Sequence, residues 1–82
     1  MARLLFFGRL MDAFGTSNET LALPANIADT SALRSWLDND RQLGGILLEK
    51  TVRVAINDTI VSEPWPIADS DEIAFLPPVG GG

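Results

Sequence analysis

Apolar residues recur along this chain with two periods, and the places where one gives way to the other mark its elements. "ARLLFFG" (residues 2 to 8) is a continuous apolar run closed by glycine, long enough for a buried strand and too short for a helix. Arg9 to Phe14 fits one helical turn before Gly15, and "TSN" behind it reads as a turn. "ETLALP" (19 to 24) alternates, Thr20 and Ala22 against Leu21 and Leu23, and stops at Pro24, which predicts a second strand hairpinned to the first. Asp29, Thr30 and Ser31 are all good helix caps, and Leu33, Trp36 and Leu37 follow at i, i+3 and i+4. That spacing predicts a helix with Arg34, Ser35 and Asp38 facing away from its apolar stripe, ended before Gly44-Gly45.

Period two then returns. In "TVRVAI" (51 to 56), Val52, Val54 and Ile56 share a face, and Asn57-Asp58 supplies the positive-φ pair of a tight hairpin. A two-residue turn pairs Ile56 with Thr59 and Val54 with Val61, so the apolar faces agree. "DEIAFL" (71 to 76), entered through the turn "ADSD", is the last strand. The first and last strands are apolar throughout, which predicts central positions buried on both sides. The expected fold is α+β: a mixed sheet of about five strands, with one main helix packed across it. Residues 1–76 form that body, and 77–82 an extended, flexible tail.

Composition narrows the chemistry. At 82 residues and 46 % hydrophobic, the chain has material for one small core. It has no cysteine and no histidine, so neither disulfides nor the commonest metal ligand and general base are available. "LLFF" is far too short for a membrane span or signal core, which points to a cytoplasmic protein without a membrane partner. The net charge of −5 disfavours nucleic acid as a partner. No Lys or Arg follows Arg53, whereas Asp58, Glu63, Asp69, Asp71 and Glu72 do. This acidic third is either a solvated face or a surface steered toward a basic partner.

Few residues are equipped for catalysis. "DSDE" (69 to 72) lacks the sixth-position glycine and acidic twelfth position of a calcium-binding loop, and reads as a turn bearing solvated acids. Trp36 belongs to the helix stripe and hence to the core, and Trp65, between Pro64 and Pro66, covers a sheet end. The glycine pairs do not have the spacing of a nucleotide fingerprint. Without histidine, the remaining bases are carboxylates and the single Lys50, so the lone chain is not expected to be an enzyme.

The ending "FLPPVGGG" is different. One reading is a frayed terminus that does nothing. The other is a delivery device for the terminal carboxylate. Pro77-Pro78 cannot continue a sheet and prefers the stiff polyproline II form, so it ends the strand and aims the tail away. Six residues reach on the order of 20 Å. Gly80, Gly81 and Gly82 carry no Cβ and can thread a channel too narrow for side chains. A functionless end does not need a rigid spacer, which favours delivery. A carrier needs a docking patch at the tail root. Phe75, with Phe7 and Ile60, is the candidate apolar anchor, with Asp69, Asp71 and Glu72 as an acidic rim. Because Phe75 and Leu76 point to opposite faces, the alternative is that Phe75 is ordinary core.

On "LLFFGRL", "LRSWL", "VAIND" and above all "DEIAFLPPVGGG", the whole chain resembles the small subunits of molybdopterin synthase, the MoaD-type sulfur carriers of the ubiquitin-like β-grasp family. Met11 stands where such carriers often have a basic residue, and Ser70 where a turn glycine is frequent. The resemblance implies that an E1-like adenylyltransferase uses ATP to adenylate the Gly82 carboxylate, and that a sulfur source then displaces AMP to leave a thiocarboxylate. It implies that Pro77, Pro78, Val79, Gly80 and Gly81 enter a large subunit, in a heterotetramer. There the sulfur passes to cyclic pyranopterin monophosphate, building the dithiolene of the molybdenum cofactor. The chain itself binds no metal or cofactor in this picture. The alternatives are a sulfur carrier for thiazole synthesis or tRNA thiolation, and a ubiquitin-like modifier or interaction module.

Overall fold

The computed structural model of the chain describes residues 1–78. Its elements are β1 (Ala2–Phe6), α1 (Arg9–Phe14), β2 (Asn18–Leu21), α2 (Thr30–Asp40), a 3-10 turn (Ile46–Leu48), β3 (Arg53–Ile56), β4 (Thr59–Ile60) and β5 (Glu72–Leu76). They build a mixed sheet in the order β2-β1-β5-β3-β4, in which β1 and β5 are parallel and the other pairs antiparallel. β1 and β5 lie inside the sheet as expected, but they are not buried on both sides: Arg3 and Leu5 of β1 and Glu72, Ala74 and Leu76 of β5, on the face away from the core, keep solvent contact.

Local chemistry accounts for the boundaries. Gly15, at φ 75°, ends α1 in the left-handed conformation and donates its N–H to the Met11 carbonyl. Asp29 caps α2, its Oδ1 accepting from the Ala32 N–H at 2.8 Å. Asn57 and Asp58 both take positive φ, and Ile56 faces Thr59 as the two-residue turn demands. The Val61 N–H donates to the Val54 carbonyl, so the expected register holds. β2 is shorter than its alternation implied, because the chain leaves the sheet after Leu21.

The core lies on one face of the sheet. Leu4 and Phe6 of β1, Val54 of β3 and Ile73 and Phe75 of β5 meet Leu33 and Leu37 of α2 and Leu10 of α1, all essentially without solvent contact. Phe6 stacks on Phe14 with centroids 3.8 Å apart, and lies 6.0 Å from Phe75. Trp36 packs against this cluster while partly exposed. Phe75 is therefore core, and its expected role as an exposed anchor is overturned. β5 alternates, and the phase set by Ile73 puts Phe75 under α2 and Leu76 on the open face.

A second correction concerns α2. Arg34 and Asp38 do not face solvent: both are buried, along with Thr30, in a row at i, i+4, i+8 beside the apolar stripe. The segment around Gly44-Gly45 folds over this row. Asp38 accepts from the N–H groups of Gly45 (2.9 Å) and Leu47 (3.0 Å). Arg34 donates to the carbonyls of Leu47, Glu49 and Val52, and forks onto the Glu63 carboxylate, with Nε to Oε2 at 2.9 Å. These side chains supply partners for a loop with no strand of its own. Among the described residues, no buried side-chain polar atom lacks one.

Candidate functional site

β5 fixes where the tail begins. It is clamped between β1 and β3, with Phe75 opposite Phe6 on one side and Val54 on the other. The strand therefore delivers Leu76, Pro77 and Pro78 to one edge of the body from a rigid base. Behind the first proline stands the turn that joins β1 to α1. Gly8 there takes φ 57°, and a Cβ on it would lie 2.9 Å from Pro77 Cγ. Only glycine accommodates both that backbone and that approach.

Beside the tail root, a groove of about 430 Å³ is lined by Lys50, Thr51, Arg53, Ile60, Leu76 and the two prolines. It belongs to the open face of the sheet, which α2 leaves uncovered. Register orders that face: Leu5, Ala74, Ala55 and Ile60 form one row across four strands, and Leu76 faces Arg53 in the next. Two of the expected anchor residues are on the surface, Phe7 at 45 % exposure and Ile60 at 53 %, whereas Phe75 is at 0 %. Of the three, Phe75 is thus the one the fold withdraws from the surface. Leu76, Lys50, Arg53 and Gly8 were missed. Alternation in β5 separates Leu76 from Phe75 without saying which is outward, and no local pattern marks Gly8. Val79, Gly80, Gly81 and Gly82 lie outside the described residues.

The acidic rim is also displaced. Asp69, Asp71 and Glu72 sit at the start of β5, whereas the tail leaves from its end. Four strand steps separate Glu72 from Leu76, roughly 13 Å. The acids are also employed within the fold. Asp69 accepts from the Leu23 N–H at 2.8 Å and pairs with the N-terminal ammonium at 3.0 Å. These contacts, the Leu23 hydrogen bond foremost, hold its carboxyl below the usual aspartate range. Asp71 accepts from the Ala68 N–H and from Asn57 Nδ2. They fasten a turn at the end of β5 opposite the tail root. On the far edge, the Arg41 guanidinium grips Glu19 of β2 and lowers its carboxyl likewise, while Glu19 raises the arginine.

No group of three or more potential metal ligands occurs among the described residues, and none of their helices is long and apolar enough to cross a membrane. Trp65 is half-exposed and hydrogen-bonds through its backbone to Thr30, tying the segment after β4 to the start of α2. The described body thus offers a rigid strand, an apolar groove and two cations at the tail root. It holds no pairing of nucleophile and base.

Residues 4–82 match the model of the ThiS family. The chain is 35 % identical over its whole length to the molybdopterin synthase sulfur carrier subunit of Escherichia coli, and 34 % identical to that of Haemophilus influenzae, covering all of each. Among solved structures it resembles a chain in the complex of subunits 1 and 2 of molybdopterin-converting factor from Helicobacter pylori. The TM-score is 0.66 at 28 % identity, over 99 % of this chain and 97 % of that one.

Proposed function

The chain belongs to the ThiS family, and from that premise we propose that its C-terminal glycine is the reacting group of a sulfur carrier and its folded body the handle. It functions as the sulfur-carrier subunit of molybdopterin synthase, on the β-grasp fold of such carriers. The observation that carries the reading is the geometry of β5. The innermost strand of the sheet runs directly into Pro77-Pro78, so the chain leaves the body toward Gly82 from its most constrained strand.

In this reading, the Gly82 carboxylate attacks the α-phosphorus of ATP on an E1-like adenylyltransferase and releases pyrophosphate. Adenylation is needed because a free carboxylate is a poor electrophile. A sulfide-level nucleophile then attacks the acyl carbon, and AMP leaves with the carboxylate oxygen. On the large subunit, the thiocarboxylate sulfur attacks a side-chain carbon of cyclic pyranopterin monophosphate, and the carbon–oxygen bond there breaks. Its oxygen leaves on the phosphate as the ring opens in one donation and as water in the other. Water cleaves the acyl–sulfur bond and regenerates the carboxylate, and two donations build the dithiolene. Pro77 to Gly81 thread the partner's cleft, and assembly is as a heterotetramer. The requirement for ATP suits the cytoplasm.

Reconstitution tests this. A thiocarboxylated chain mixed with the large subunit and cyclic pyranopterin monophosphate is expected to yield molybdopterin and return the Gly82 carboxylate. Sulfur delivered only to a thiazole or tRNA acceptor would assign it to another sulfur pathway. Isopeptide linkage to partner lysines without product would make it a modifier.

A further inference from the structure

Six residues of this chain are cationic, and the structure divides them unequally. Arg3, Arg9, Arg34 and Arg41 each face a carboxylate: Glu72 at 4.0 Å, Glu49 at 3.6 Å, Glu63 and Glu19 respectively. Lys50 and Arg53 have no ion-pair partner among the described residues. Both are exposed, and both line the groove at the tail root, where no carboxylate of the described residues joins them. In a chain of net charge −5, the two uncompensated cations are therefore gathered beside Leu76, Pro77 and Pro78.

We propose that this groove receives an acidic, apolar-tipped segment of the large subunit at the mouth of its tail cleft, with partner carboxylates meeting Lys50 and Arg53. The inference rests on the functional reading above and specifies the partner's chemistry. Two arguments commit the groove to that occupant. The first is continuity: any protein that encloses the tail from Pro77 onward must pass over the surface from which the tail leaves. The second is complementarity. Ile60 and Leu76 offer an apolar floor, while the cations would repel a basic rim and attract an acidic one. Charges at such a rim act mainly on the rate of encounter and are screened by salt. The direction is the reverse of what the net charge implies, since an acidic protein would otherwise be steered to a basic surface.

The test is the association rate between the full chain and the large subunit across a range of sodium chloride concentrations. It compares wild type, Lys50→Glu/Arg53→Glu and Lys50→Gln/Arg53→Gln with an Asn39→Glu control, which adds negative charge on an exposed site of α2. The expected result is slower association as salt rises for wild type and control. The reversed pair should associate about tenfold or more slowly at low salt, with the salt dependence flattened or inverted. The glutamine pair should fall between, all with native melting curves. Unchanged rates and salt dependence in both groove variants, with wild type binding normally, would overturn the inference and leave the functional reading standing. Faster association in the variants would mean that the cations hold the chain's own terminal carboxylate, and would overturn it too. A wild-type chain that fails to bind the large subunit would contradict the functional reading itself, and this inference with it.

Discussion

The two ends of β5 are built on opposite principles. At its start, Asp69, Asp71 and Asn57 exchange hydrogen bonds with Leu23, Ala68 and Glu72, so the turn satisfies itself. At its end, Leu76 and the prolines line an open groove, Ile60 is more than half exposed, and Lys50 and Arg53 are unpaired among the described residues. Polar groups that satisfy one another hold a fold together. Apolar surface and charge left without internal partners suit a complex. The strand thus links a finished end to an unfinished one, and the chain runs on toward Gly82 from the unfinished end.

The comparison is broken most severely at the tip. Deleting Gly82, or extending the C-terminus with a tag, is expected to abolish sulfur transfer in synthase reconstitution while the melting curve stays native. Full activity with the tag in place would remove the terminal carboxylate from the mechanism.

Next in size is the contrast between neighbours on β5. Phe75→Ala empties a core position between Phe6 and Val54 and is expected to cost about 3–5 kcal/mol in denaturant unfolding. Leu76→Ser, on the open face, should leave stability within about 1 kcal/mol of wild type. It should weaken large-subunit binding by about 2 kcal/mol. The reverse ranking would mean that the phase of β5 is wrong.

Asp71→Ala probes the finished end. Losing its hydrogen bonds to Ala68 and Asn57 should cost about 1 kcal/mol of stability and leave sulfur transfer unchanged. A transfer defect at native stability would restore the acids to the docking surface.

The smallest effect is set by pH. Glu19 is held below its ordinary value of 4.5, chiefly by its hydrogen bond from Arg41. A depressed carboxyl contributes stability that is fully present above its unfolded value and lost as pH falls through its folded one. Asp69 behaves alike from its ordinary 3.8 downward. Unfolding free energy should hence be flat in these two groups above about pH 4.5 and decline below it, with Glu19→Gln shallower than wild type.

Much of this architecture was legible in the residues. Alternation located the strands, Asp29 and Gly15 bounded the helices, and Asn57-Asp58 fixed the hairpin register. What escaped were questions of phase and of distant partners. Alternation in "EIAFL" says that Phe75 and Leu76 part company, but not which one lies beneath α2; the register of β5 against β1 and β3 decides that. Arg34 and Asp38 read as solvent-facing because their partners, the amides and carbonyls of residues 45 to 52, come from a loop with no periodic pattern. The acids after Arg53 read as one charged surface because sequence order hides that β5 carries the chain from one end of the body to the other.

The central claim is that Gly82 carries the sulfur, and intact mass spectrometry addresses it directly. The full chain is co-expressed with its activating enzyme and a sulfur source, purified without a C-terminal tag and weighed. The account predicts a gain equal to one sulfur in place of one oxygen, located by fragmentation at Gly82 and absent from the chain shortened by that residue. An unchanged mass under conditions in which the enzyme consumes ATP on this chain, or a gain located anywhere else, would contradict it.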